Sequence, residues 1–276
     1  MKIFISIDME GIPGTFNWEH EKIDRPAVRA CMTEHITTAI KAILSSKQAD
    51  TITQVVIADS HAAGDNLSYE ITRLDPRISL ISGDPRPEYM MPGFDDSYAM
   101  VFLLGYHAGT GALKGNMDHT YSNSRIQKIW INGQPMNEAL INAAYAGYHK
   151  VPVAVVSGDL ALRSELMPQM PWLEYVTTKE GLSKFAAKSY SVLQVNEELS
   201  QKIHSALGKK DLPIFSFATP CELKIELHST AMADVACLMP DVQRLDGKAI
   251  SYSHSDFKVL FNALMALVTL ASSVEI

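Results

Sequence analysis

The sequence predicts an α/β protein: a largely parallel sheet with flanking helices in the N-terminal part, then a smaller α+β C-terminal part. Short apolar runs alternate with helical patterns through the first 160 residues, which is typical of βαβ units. After Leu160, longer helical segments and short strands follow instead. We therefore expect two parts, residues 1–165 and 166–276, that share an interface because no long linker separates them.

The N-terminal part contains a series of predicted strands: Lys2–Ile7, Thr53–Ala58, Ile78–Ile81, Ala99–Leu104 and Val151–Val156. Between the first two strands, Asp24 and Pro26 indicate the start of a helix. Apolar residues then recur at helical spacing along one face of it: Val28, Met32, Ile36, Ile40 and Ile43. This face is expected to pack on the sheet.

A hairpin and further helices follow along the chain. The Asn132-Gly133 pair after Lys128–Ile131 indicates a tight turn, and Asn137 then caps a helix that runs to about Tyr148. The C-terminal part has predicted helices and short strands: helices at Lys184–Leu207 and Asp256–Ala271, strands at Leu223–Leu227 and Ala249–Ser253.

The bulk composition disfavours several classes of protein. A net charge of −7, from 24 basic and 31 acidic residues, argues against a nucleic-acid or anionic-membrane partner. The three cysteines form no CxxC pair and suit a reducing compartment, so we expect a cytoplasmic protein. The N-terminal apolar run is too short for a signal peptide. The uncharged stretch Val259–Val274 is too short to span a bilayer.

The first strand ends in two carboxylates, Asp8 and Glu10. Because side chains alternate along a strand, residues i and i+2 point to the same side. Two unpaired carboxylates at that spacing repel each other and favour a bound cation. A solvated strand end with two exposed acids explains the pattern equally well. Further candidate ligands must therefore decide between the two interpretations.

Further candidates lie where functional groups of parallel sheets gather, just past the carboxyl ends of strands. His61 and His107 each follow a predicted strand by three residues. Glu138 directly follows a predicted helix cap, although local sequence alone favours a plain first-turn carboxylate there. The whole set consists of mixed N/O ligands that suit zinc: Asp8, Glu10, His61, His107 and Glu138. Five ligands exceed the three of one catalytic zinc, so two ions sharing one carboxylate account for them better.

His119 lies on a glycine-containing loop beyond His107. It could serve as an acid/base or as an electrophile for an oxyanion, although a surface-loop histidine is the simpler interpretation of the local sequence. The glycines at positions 109, 111 and 115 favour a mobile lid over a phosphate-binding loop. The sequence has no GxSxG, HExxH or GxxxxGK motif, which disfavours serine hydrolases, thermolysin-like enzymes and P-loop enzymes.

Together these motifs resemble the DppA-type D-aminopeptidases, the M55 metallopeptidases. The matching segments span roughly residues 1–160: Ser6–Gly11, Asp59–His61, Ile81–Asp84, Leu104–Ala108, His119, Ile131–Glu138 and Val156–Asp159. The remainder of the chain is similar in a looser way. The SxDxEG opening combined with both histidine contexts makes the resemblance specific.

The resemblance implies a binuclear zinc aminopeptidase. In it, Asp8 matches the metal-bridging position, and His119 matches the proposed catalytic histidine. The other metal positions are matched by Glu10, His61, His107 and Glu138. The resemblance further implies a cytoplasmic homo-oligomer, a ring-like decamer, that encloses its active sites. Its implied substrates are short peptides with an N-terminal D-residue, such as D-Ala-D-Ala.

One segment departs from the family pattern, and two other functions stay open. The loop Gly109–Lys114 differs from the best-known members, so D-specificity is the least direct inference. Another two-metal hydrolase, an amidase or a phosphoesterase, could use the same ligands. Only Lys114 and Arg125 are obvious cations nearby, which favours amide chemistry over phosphate esters. A non-enzymatic peptide-binding protein would bind no transition metal tightly.

Overall fold

The computed structural model of the protein describes residues 1–275. Its strands are, in chain order, β1 (Lys2–Ile7), β2 (Gln54–Asp59), β3 (Ile78–Ile81), β4 (Met100–Tyr106), β5 (Ile126–Ile131), β6 (Gln134–Met136), β7 (Val153–Asp159), β8 (Glu174–Ser183), β9 (Ala186–Ser189), β10 (Cys221–Leu227), β11 (Gln243–Arg244) and β12 (Ala249–His254). Its α-helices are α1 (Trp18–Ile23), α2 (Arg25–Ser45), α3 (Glu138–Tyr148), α4 (Leu160–Leu166), α5 (Val192–Gly208), α6 (Thr230–Ala236) and α7 (Phe257–Ser272).

The strands form two sheets. The larger sheet has the order β3-β2-β1-β4-β7-β8-β9 and is parallel except for the final β8–β9 pair. The smaller sheet has the order β11-β12-β10-β5-β6 and is antiparallel. The predicted fold class, a largely parallel sheet with helices plus a smaller α+β part, is confirmed.

Both faces of the larger sheet are buried, as parallel sheets require. Along β1, the alternate side chains Ile3, Ile5 and Ile7 join a core that includes the apolar faces of α2 and α5. Phe4 points to the opposite core, which includes residues of α3, α7 and the smaller sheet. The helix predicted from Asp24 is confirmed as α2, whose N-terminus the Asp24 side chain caps.

One predicted element is wrong in part. The segment predicted as a helix from Lys184 to Leu207 is helical only from Val192, because Ala186–Ser189 pairs with β8 as an antiparallel strand. Ala187 and Lys188 favour helix by intrinsic propensity, but tertiary strand pairing overrides that preference. The long strand β8 has no counterpart among the predicted elements.

The division near residue 165 stays a prediction. Strands from both sides of that position meet in each sheet: β8 and β9 extend the larger one, while β5 and β6 complete the smaller one.

Cys31, Cys221 and Cys237 are all free thiols, and the expected cytoplasmic location also stays a prediction. None of the helices within residues 1–275 is long and apolar enough to cross a membrane.

Candidate metal centre

The predicted ligands meet at the carboxyl edge of three neighbouring strands, β2, β1 and β4. Asp8 directly follows β1, His107 directly follows β4, and His61 lies two residues beyond β2. Glu138 begins α3, whose N-terminus is capped by the Asn137 side chain. All of these ligands are buried. The strand-end interpretation of the sequence therefore describes their spatial arrangement, and the alternative of two exposed acids is wrong.

One group of candidate ligands consists of Asp8, Glu10 and His61. Their ligand atoms lie within 4.8 Å of one another. His61 Nδ1 lies 3.2 Å from Asp8 Oδ1 and 3.0 Å from Glu10 Oε2. Two carboxylates and one imidazole thus converge on a common point, as a metal site requires.

A second group consists of His107, His119 and Glu138, again with ligand atoms within 4.8 Å of one another. Glu138 Oε2 lies 3.5 Å from His107 Nε2, and Glu138 Oε1 lies 3.7 Å from His119 Nε2. The rings of His107 and His119 stack with centroids 4.1 Å apart. His119, predicted as a catalytic residue, therefore lies close enough to be considered as a ligand as well.

Asp8 lies between the two groups. Its Oδ1 faces His61 of the first group, and its Oδ2 lies 3.5 Å from His107 Nε2 of the second. One carboxylate thus presents a separate oxygen to each group. A carboxylate in this position could contact a separate cation through each of its oxygens.

The hydrogen bonds of the histidines determine which ring nitrogens face the centre. Nδ1 of His107 donates to the carbonyl of Ala108 at 3.0 Å, and Nδ1 of His119 donates to the carbonyl of Met117 at 2.9 Å. The Nε2 lone pair of each ring therefore points towards the centre. His61 is turned the other way: its Nδ1 faces Asp8, and its Nε2 lies 3.2 Å from Glu21 Oε1. Such outer hydrogen bonds orient metal-binding imidazoles in proteins.

Unpartnered buried atoms test whether a cation fits this site. Asp8 Oδ2, Glu10 Oε2 and His107 Nε2 are buried and make no hydrogen bond. His61 Nδ1, although close to Glu10 Oε2, is hydrogen-bonded to Asp8 Oδ1 instead. Buried polar atoms are otherwise almost always partnered. The carboxylate oxygens and the Nε2 lone pair are all electron-pair donors of the kind that zinc binds. The residues present therefore fit zinc.

The pKa shifts in the centre reflect burial and the charges of neighbouring groups. Burial, and then repulsion from Glu10, raises the pKa of Asp8 to about 7. Burial opposes charge on His107, but the carboxylates of Glu138, Glu10 and Asp8 together outweigh it and raise the pKa of His107 to about 10. Burial, and then the neighbouring His107, lowers the pKa of His119. Without a cation, protons must balance these carboxylates, a role that bound metal would take over.

Three residues that the sequence did not single out support the centre. Trp18 Nε1 donates to Glu10 Oε1 at 2.9 Å, and Glu21 on the same short helix contacts His61. The buried ammonium of Lys179 donates to the backbone carbonyl of Glu10. In the local sequence, only the Asn17 cap and the three-residue spacing of Trp18 and Glu21 indicate a helix that places these two side chains on one face. No local pattern marks Lys179, because it lies on β8 and contacts the carbonyls of Glu10 and Thr15, which are distant in sequence.

We expect Glu21→Gln to weaken zinc binding about 10–100-fold, as removal of the outer carboxylate from a metal-binding histidine typically does. Gln keeps the size of the side chain but loses the charge that favours the proton on His61 Nε2. Zinc affinity is measured by competition with a chromogenic chelator. Glu19→Gln, an exposed position on the same helix that pairs with Lys22, serves as the control. Unchanged affinity in Glu21→Gln would exclude this role.

Comparisons with known proteins extend over the whole chain. The family model described as D-aminopeptidase, peptidase M55, matches residues 1–266. The curated D-aminopeptidase of Bacillus subtilis (strain 168) is 32% identical over 278 residues, which cover 98% of each protein. The solved structure of the Zn-dependent D-aminopeptidase DppA from Bacillus subtilis, a self-compartmentalizing protease, matches with a TM-score of 0.92 and 30% identity, covering 100% of both chains.

Proposed function

The chain belongs to the D-aminopeptidase family of M55 peptidases, and on that premise we propose that it is a binuclear zinc aminopeptidase acting on short peptides such as D-Ala-D-Ala. Membership of this family makes the chain a hydrolase of peptide bonds. The similar DppA structure is described as zinc-dependent. The observation that carries the proposal of two ions is the position of Asp8, with one oxygen facing each group of ligands.

We assign the predicted ligands to two ions that share Asp8. Glu10 and His61 complete the first site, and His107 and Glu138 complete the second. Each ion would then be held by three protein ligands, the number that catalytic zinc sites use. His119 is left for catalysis because the second site is complete without it. Its side chain is also more exposed, at 12%, than the 1% of His107.

Bound zinc would supply a Lewis acid for the scissile carbonyl and would lower the pKa of water to near neutrality. The chain's own contribution starts with the orientation of His119. Its ring lies between two neighbours. His107 stacks on it with a centroid distance of 4.1 Å, and Trp18 packs nearly perpendicular to it with a centroid distance of 5.3 Å. Because its Nδ1 proton is donated to Met117, its Nε2 is free to take up a proton and return it to the leaving amine.

The surroundings of the centre favour amide over phosphate chemistry. The small cavity at the centre is lined by carboxylates, histidines, tyrosines and small or apolar residues, and contains no Lys or Arg within residues 1–275. Lys114 and Arg125, the cations considered as phosphate ligands, do not line it. A phosphoesterase needs cationic or bidentate donors at this point. This supports the peptidase over that alternative.

The proposal includes a homo-oligomer, with the decamer that the family resemblance implies. The similar DppA is described as self-compartmentalizing. In this chain, Leu113 and Leu182 are 90% and 60% exposed. They lie on the loop and the hairpin that touch where Gly181 meets the carbonyl of Lys114. We place a subunit contact at this loop and hairpin, because contiguous exposed apolar surface marks interaction sites.

A matched pair of dipeptides tests the proposed function. Protein of known zinc content is incubated with D-Ala-D-Ala or with L-Ala-L-Ala, with and without a chelator, and free alanine is measured. We expect chelator-sensitive cleavage of the D-peptide and little or no cleavage of the L-peptide. Cleavage of the L-peptide alone would overturn the stereochemical part of the proposal. Cleavage of neither peptide by zinc-loaded protein would overturn the proposed substrate.

A further inference from the structure

A second cavity adjoins the metal centre, and we infer that it binds the part of the peptide beyond the scissile bond and recognises its terminal carboxylate. The inference rests on the proposed function. The second cavity has a volume of about 450 Å³, against about 150 Å³ for the cavity at the centre. Tyr89 and Tyr121 line both cavities. One outer wall is formed by α7, through residues that include Met265 and Val268.

The two cavities suit successive parts of a short peptide. The cavity at the centre, of about 150 Å³, would hold the zinc ions together with the N-terminal amine and the scissile carbonyl. The second cavity is about three times larger, which suits one or two further residues. The inferred peptide would thus span both cavities, with its first peptide bond at the metal centre.

We place the passage between the cavities at Tyr89 and Tyr121, because both residues line both cavities. Their rings lie edge to face, with centroids 5.6 Å apart. The Tyr121 backbone N–H donates to Glu138 Oε1 at 2.6 Å, which ties this residue to a proposed metal ligand. The Tyr121 hydroxyl is buried and has no hydrogen-bond partner. Both residues have left-handed φ angles, 49° and 60°, and such backbone strain clusters at ligand sites. The free hydroxyl is therefore a donor for a peptide carbonyl in the passage.

The charge of the second cavity comes from Arg86, which is only 8% exposed. The guanidinium donates to the backbone carbonyls of Ser60, Ala62, Gly83 and Tyr89. These bonds use four of its five N–H groups and leave one on Nη1. Among the ion pairs of residues 1–275, none joins Arg86 to a carboxylate. A buried cation of this kind favours an anionic ligand.

The acidic groups around the second cavity do not cancel this charge. Asp84 lines the cavity but is exposed to solvent, where water and salt screen it. Glu88 lies 3.8 Å from the ammonium of Lys258, which offsets its charge. Arg86 is therefore the buried charge that a ligand would meet. The inferred substrate class is an unblocked dipeptide or tripeptide with a free terminal carboxylate.

The first test compares D-Ala-D-Ala with its C-terminal amide at a fixed zinc content. We expect KM for the amide to be at least about tenfold higher, with a similar kcat, because the lost contact with Arg86 is a binding interaction. Equal KM values for two cleaved peptides would overturn the inference and leave the proposed function intact. If neither peptide is cleaved, the proposed function fails and the inference fails with it.

Two substitutions test the location. Val268→Trp fills the second cavity from α7 and should raise KM for both peptides, whereas Val259→Trp, 38% exposed on the same helix and outside the cavity, should not. Arg86→Gln should raise KM for the free acid but not for the amide. A purely structural role of Arg86 beside His61 would instead change both peptides equally. Wild-type kinetics in Val268→Trp would overturn the location of the site.

Discussion

Asp8→Ala is expected to remove both zinc ions and reduce hydrolysis of D-Ala-D-Ala to background. The substitution deletes an oxygen from each group of ligands at once. It leaves Glu10 with His61 on one side and His107 with Glu138 on the other. Two protein ligands fall short of the three that catalytic zinc uses. Because the ions supply the main electrostatic assistance, we expect kcat/KM to fall by at least about 10³-fold.

The zinc content of extensively dialysed protein, measured by inductively coupled plasma analysis, checks this prediction. Circular dichroism establishes that the variant is folded. Asp96→Ala, an exposed acid outside the centre, is the control and should keep two ions per chain. Retention of two ions by Asp8→Ala would disprove the bridging assignment. Retention of one would place Asp8 in a single site.

His119→Ala is expected to keep both zinc ions and lose most of its turnover. Three other ligands remain for each ion in our assignment. Removal of the imidazole takes away the group that moves a proton between the attacking water and the leaving amine. General acid–base catalysis contributes about 10²–10⁴-fold, so kcat should fall by that factor with little change in KM. Added imidazole should restore part of the lost rate.

Zinc content and steady-state kinetics are measured on the same preparation of this variant. His204→Ala replaces an exposed histidine of α5 whose ring hydrogen-bonds to Ala42 and Ser45 of α2, and it should behave as wild type. Loss of one ion from His119→Ala would identify His119 as a ligand, an arrangement that its position beside His107 and Glu138 also allows. Full activity with a normal zinc content would remove it from the mechanism.

Much of the centre could be predicted because its residues obey local rules. The two-residue spacing of Asp8 and Glu10 depends only on strand geometry. The positions of His61 and His107 just past apolar runs predicted their meeting, because adjacent parallel strands end at the same edge. Glu138 and His119 are different. The sequence around each favoured a plain structural role, so a functional role depended on the other candidate ligands and on the family resemblance.

The helix predicted at Lys184–Leu207 is wrong in part because the structure of its first residues depends on a strand outside this segment. Ala186–Ser189 forms a strand because β8 lies beside it, and nothing in its own sequence indicates that partner. The role of Lys179 could not be predicted from the sequence for a related reason. It is a single lysine within a strand, and its role follows from contacts with the carbonyls of Glu10 and Thr15, distant in sequence.

The sequence by itself determined the fold class, the family and the set of candidate ligands at the strand ends, since periodicity, capping and strand-end position involve residues close together in the chain. The tertiary structure decided the position of Asp8 between the two groups, the support from Glu21, and the second cavity between α7 and the tyrosine passage. These features join segments far apart in sequence, so packing of the whole chain is needed to bring their atoms to within contact distance.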